Sequence, residues 1–83
     1  MNRTEILEKV AKSITSILDL PNQEITMRTT ADDVEGWDSF NHINIVVAIE
    51  NEFGIKFNTS EVEELRQVGE FVKLIEKKLA ARK

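Results

Sequence analysis

The segment GWDSFNHINIVVAIENEFG, residues 36–54, decides how this chain folds. Ile45, Val46, Ile49 and Phe53 recur at the three- and four-residue spacing of one helix face. Asp38 stands where an N-cap belongs, and Gly54 stands just past the last periodic residue, where a left-handed residue commonly closes a helix. The segment therefore predicts a helix from about Ser39 to Phe53. A second apolar row, Phe40, Ile43 and Val47, runs along the same helix. Either both rows are core or, because a small bundle can hardly bury two, one is partly exposed and available for docking.

Upstream, Ile6, Leu7, Val10, Ala11, Ile14, Ile17 and Leu18 form one broad stripe, predicting an amphipathic helix over 3–18 with Asn2 as N-cap, Glu5 three residues later and Pro21 beyond its end. Residues 20–37 follow neither period and predict a long loop pinned to the core by Ile25, Met27 and Val34. Downstream, Ile55 and Phe57 are too few for a sheet and predict a connector. Thr59 and Ser60, with Glu63 as the capping-box partner of Ser60, predict a short third helix whose buried face ends at Leu65. Val68, Phe71, Val72, Ile75 and Leu79 define a last helix whose final turns carry Lys77, Lys78 and Arg82, the charge sign that suits a helix C-terminus. These elements predict one all-α domain over residues 1–83: a bundle of three long helices and one short.

With 83 residues and 41% hydrophobic content the chain suits one small core of modest stability. It has no cysteine and one histidine, so neither a disulfide nor a cysteine- or histidine-built zinc site is expected. No apolar run approaches a membrane span and the N-terminus lacks a signal-peptide pattern, so a soluble, cytoplasmic protein is expected. Net charge is -4 but unevenly spread: residues 31–64 hold nine acids against Lys56 alone. That balance argues against nucleic acid, which is bound through clustered Lys and Arg, and favours a basic partner; a merely solvated acidic face is the plainer reading.

Ser39 opens the central helix after Gly36-Trp37-Asp38, where free backbone N–H groups and the positive end of the helix dipole favour a phosphate. Taken alone, this pattern is also what ordinary helix capping looks like. Glu35-Gly36-Trp37-Asp38-Ser39-Phe40, however, resembles the Gly-x-Asp-Ser-Leu attachment motif of acyl carrier proteins, at mid-chain in a domain of the usual length and helix order. Ile49-Glu50-Asn51-Glu52-Phe53-Gly54-Ile55 and Val62-Glu63-Glu64-Leu65 extend the resemblance downstream.

The resemblance implies an acyl-carrier-like four-helix bundle that is not itself an enzyme. It implies 4′-phosphopantetheine, derived from coenzyme A and joined covalently to Ser39, bearing acyl groups as thioesters for fatty acid, polyketide or a specialised acyl-transfer pathway. A reactive sulfur supplied by the prosthetic group is compatible with a cysteine-free chain. Gly36 and Asp38 would support the attachment, Asp38 also being recognised by a phosphopantetheinyl transferase. Phe40, Ile43 and Val47 would face partners or the arm, with Glu50 and Glu52 as peripheral acidic contacts. The other implied partners are an acyl ligase, synthase or acyltransferase with a basic docking patch, meeting a monomer. A growing acyl chain would shelter near Val46, Ile49, Phe71 and Ile75. An unmodified interaction module using the same apolar row is the alternative.

Phe40 replaces the family's usual leucine, and Asn41 and Asn44 stand where acids are common, which suggests a specialised carrier. Arg66 and Gln67 occupy positions where a Ser or Thr cap often precedes the last helix. An EF-hand calcium loop around Asp33 and Glu35 is set aside, because Ala31 falls at its first ligand position and His42 at its required glutamate. Ser39 and His42 as nucleophile and base lack an orienting third group. His42 is expected as an exposed side chain beside the arm, and Trp37 as a ring buried against the loop.

Overall fold

Helix α1 spans Arg3–Leu18, and its start is closed by reciprocal bonds: Glu5 N–H donates to Asn2 Oδ1 at 2.9 Å while Asn2 N–H donates to Glu5 Oε1 at 3.1 Å. It ends at Asp19, whose φ of 56° is left-handed. The computed structural model describes residues 2–81. Helix α2 spans Ser39–Phe53, capped by Asp38 and closed by left-handed Gly54. Helix α3 is Thr59–Glu64 and helix α4 is Val68–Ala81. The helices, the spacing of their apolar faces and the four-helix, all-α class follow the sequence reading; Arg82 lies outside the described residues.

Two boundaries differ. The cap of α3 is Asn58, not Thr59 or Ser60: its Oδ1 accepts from Glu61 N–H at 2.8 Å and Glu61 Oε1 accepts from Asn58 N–H at 2.9 Å. The start of α4 needs no Ser or Thr, because Val68 N–H donates to Thr29 O at 2.8 Å and Gly69 N–H to Met27 O at 2.9 Å. The long loop thus satisfies donors that a side-chain cap would otherwise serve. That loop also holds a 3-10 turn, Ala31–Asp33, and Thr30 forms an isolated antiparallel bridge with Gln67.

Packing is centred on α1, which contacts both α2 and α4. Ile6, Val10 and Ile14 of α1 meet Ile45 and Ile49 of α2 and Phe71, Val72 and Ile75 of α4 in a core where each is 0% exposed. Val34 and Trp37 are buried, and Ile25 and Met27 pack against the same core, so the loop is pinned as its apolar residues predicted. The radius of gyration, 11.7 Å, is close to the roughly 12 Å expected for one compact domain of this length. No described helix is long and apolar enough to cross a membrane.

Candidate functional site

The approach to α2 is a tight turn that requires Gly36, whose φ is +86°. The Gly36 carbonyl accepts from Asp38 N–H at 3.0 Å and from Asn41 Nδ2 at 2.8 Å. Asp38 Oδ1 accepts from Asn41 N–H at 2.8 Å. Asn41 therefore has a use that an acid could not serve, since a carboxylate cannot donate to the Gly36 carbonyl. Ser39 is the first residue of α2 and is exposed; among the described residues nothing bonds its hydroxyl.

Behind Ser39 sits a polar link with an aromatic backing. Trp37 Nε1–H donates to His42 Nδ1 at 3.1 Å, and His42 Nε2 lies 2.9 Å from the Val62 carbonyl of α3. Both bonds are satisfied together by the neutral ring with its proton on Nε2, which accepts from Trp37 and donates to Val62. Trp37 and His42 stack at 6.2 Å between ring centroids, and both rings touch Phe71, at 6.2 and 6.0 Å. The expectation of an exposed His42 is thus corrected: the side chain is half-buried because it ties the loop, α2 and α3 together. Trp37 buries its ring as anticipated.

The two apolar rows of α2 part company. Ile45, Val46, Ile49 and Phe53 are core, whereas Phe40 is 76%, Ile43 52% and Val47 47% exposed. The acidic residues assigned beside the exposed row are placed differently from each other. Glu50 Oε2 accepts from Phe57 N–H at 2.8 Å, so it braces the connector after α2. Glu52 lies about 140° around the helix from Val47 and pairs with Lys9 of α1 at 3.1 Å, which removes it from the row. The exposed acids nearest Ser39 in the chain are instead Asp32, Asp33, Glu35 and Asp38.

A surface cavity of about 450 Å³ opens beside Ser39, bounded by the loop turn, the first turns of α2, and α3. Trp37, His42 and Val62 line it, and Asp32, Glu63 and Arg66 add charge. Val46, Ile49, Phe71 and Ile75, the anticipated shelter for an acyl chain, are not among its walls; they are close-packed core.

A family described as phosphopantetheine attachment site matches residues 8–75, which include Ser39, the turn before it and the Trp37–His42–Val62 link. The chain belongs to this phosphopantetheine-attachment family. It is 35% identical over 78 residues to an acyl carrier protein of Thermotoga maritima, covering 94% of this chain and 96% of that one. An acyl carrier protein of Thermosynechococcus vestitus is 33% identical over 82 residues, covering 98% and 100%. The solution structure of holo acyl carrier protein from Geobacter metallireducens superposes with a TM-score of 0.83 at 33% identity, over 92% of this chain and 87% of that one.

As a family member the chain is a carrier, not a catalyst: acyl groups ride as thioesters on covalent 4′-phosphopantetheine, whose terminal thiol supplies the chemistry. The start of α2 fits that group. The Ser39 hydroxyl is free, and the Ser39 and Phe40 N–H groups face the same helix end without partners among the described residues, so a phosphodiester would meet donors and the positive end of the helix dipole. Reading the sequence missed Asn41 and the His42 link. Neither has a periodic signal, because each depends on a partner brought in by the fold.

Proposed function

We propose that Ser39 is the residue to which 4′-phosphopantetheine is joined, with Gly36 and Asp38 shaping the turn that presents it. The free, exposed hydroxyl on the first residue of α2 carries this reading. Phe40, Ile43 and Val47 are the contact row for a phosphopantetheinyl transferase and for acyl-handling enzymes, such as a ligase, synthase or acyltransferase, with a basic docking patch. Their exposure in one row, flanked by the acids around Ser39, supports it: apolar contact supplies affinity while charge orients the encounter. Glu50 and Glu52 are left out of this row, being engaged with the Phe57 backbone and Lys9.

Mass spectrometry tests the attachment. Purified protein incubated with coenzyme A and a promiscuous transferase should gain one phosphopantetheine adduct, and Ser39→Ala should gain none. An unmodified wild-type protein, or an adduct that persists in Ser39→Ala, would overturn the assignment.

A further inference from the structure

We infer that the Trp37–His42–Val62 link closes the seam between α2 and α3 to the cargo, making this a carrier of short acyl groups that stay at the surface. The inference rests on attachment at Ser39. Trp37 and His42 line the cavity beside Ser39 on one side and touch Phe71, which is 0% exposed, on the other. A chain passing from Ser39 toward Phe71 must therefore displace this ring pair, while Ile43, Val62 and Leu65 form other apolar walls of the same cavity.

Beyond the pair there is little to gain. Among the described residues Phe71 is the largest fully buried side chain, in one core cluster with Ile45, Ile49 and Ile75, each 0% exposed. Added methylenes would have to overpack that core. Entry would also break two hydrogen bonds at once, leaving the Trp37 N–H without a partner and the Val62 carbonyl with Leu65 N–H alone, at 3.3 Å. Ala31, Ile43, Val62 and Leu65 give the cavity apolar walls that suit a short group, whereas a longer alkyl chain would also cover and desolvate Asp32, Glu63 and Arg66, which share the lining. A short group, with or without a hydroxyl or amino substituent, meets neither obstacle.

Butanoyl- and dodecanoyl-phosphopantetheine can be installed on Ser39 from the corresponding coenzyme A esters and confirmed by mass. With the wild-type protein, hydroxylamine should cleave the two thioesters at rates within about twofold of each other, because neither is sheltered. The amide resonances of Ile49, Phe71 and Ile75 should be the same for both loadings. Dodecanoyl cleavage slowed about tenfold or more relative to butanoyl, with shifts at those core amides, would overturn the inference. His42→Ala should open the seam and slow dodecanoyl cleavage selectively; a folded variant with both thioesters equally exposed would remove the link from its role. Should that variant not fold, the wild-type comparison decides alone. Failure of attachment is distinguishable throughout, because no loaded species would then appear.

Discussion

Gly69 sits in the first turn of α4 with its Cα against the long loop, so that an added Cβ would lie 2.7 Å from the Met27 carbonyl oxygen. Alanine is ordinarily the better helix former by about 1 kcal/mol, yet here the clash is with backbone and cannot be relieved by a side-chain rotation. Gly69→Ala is therefore expected to destabilise the domain by about 1–3 kcal/mol, the range for overpacking, and to lower Tm in thermal melts. A melt unchanged or raised would mean the loop can withdraw without loss. Asn41 is the complementary case: what distinguishes it from the acids common at its position in carriers is a donor, spent on the Gly36 carbonyl. The less negative helix face is thus tied to how the turn before Ser39 is held.

Among the elements, α3 is too short to persist by itself and depends on its attachments. Asn58 closes its start, His42 bonds the Val62 carbonyl, and Lys78 of α4 reaches Glu61 Oε1 at 3.0 Å. The Glu61 carboxyl is held below the ordinary glutamate range, first by the Asn58 N–H bond and further by Lys78 and Lys77. A carboxyl with a lowered folded-state pKa contributes stability that is present above its unfolded value and lost as pH falls through the folded one. Chemical denaturation of wild type and Glu61→Gln should therefore differ at neutral pH and converge as pH falls through and below the ordinary glutamate range. A constant difference across that range would show that ionisation of Glu61 contributes nothing. The elements were unequally legible in the chain. Helices α1 and α2 are bounded by local signals, Asn2 with Glu5 and Asp38 with Gly54, and their limits were readable for that reason. The cap of α3 was misplaced because Asn58, Thr59 and Ser60 are all capping residues and Asn58 pairs with Glu61 just as Ser60 could pair with Glu63. The start of α4 was unreadable, since its donors are served by carbonyls from the other half of the chain. The place of Ser39 as first residue of α2 was readable from the Asp38 cap, whereas the use of His42 could emerge only once Trp37 and Val62 flanked it.

For the molecule as a whole, charge is sorted along the chain: acids crowd the loop turn, the entry to α2, and α3, while Arg3, Lys9, Lys12, Lys73, Lys77 and Lys78 lie on α1 and α4. A basic enzyme approaching Ser39 would be steered by the first group, whereas Arg3, Lys9 and Lys78 of the second are paired with Glu76, Glu52 and Glu61. The rate at which a transferase modifies the protein should fall by about tenfold or more as ionic strength rises from well below to well above physiological, because exposed charges are screened beyond a Debye length of about 8 Å. Ile43→Glu should slow the same reaction at high salt as well, with circular dichroism unchanged, since it disrupts apolar contact on a side chain already 52% exposed. Equal rates at all salts would remove steering from the account, and loss of helicity in Ile43→Glu would place that side chain in the fold and not at its surface. The loop carbonyls that receive Val68 and Gly69 have a consequence at this same scale. Those two amide protons are shielded by residues 39 and 42 positions earlier in the chain, on the loop that leads to Ser39. Their rates of deuterium uptake are thus a built-in gauge of loop opening, so an enzyme that pries the loop away while reaching the serine would leave its footprint on the far side of the sequence.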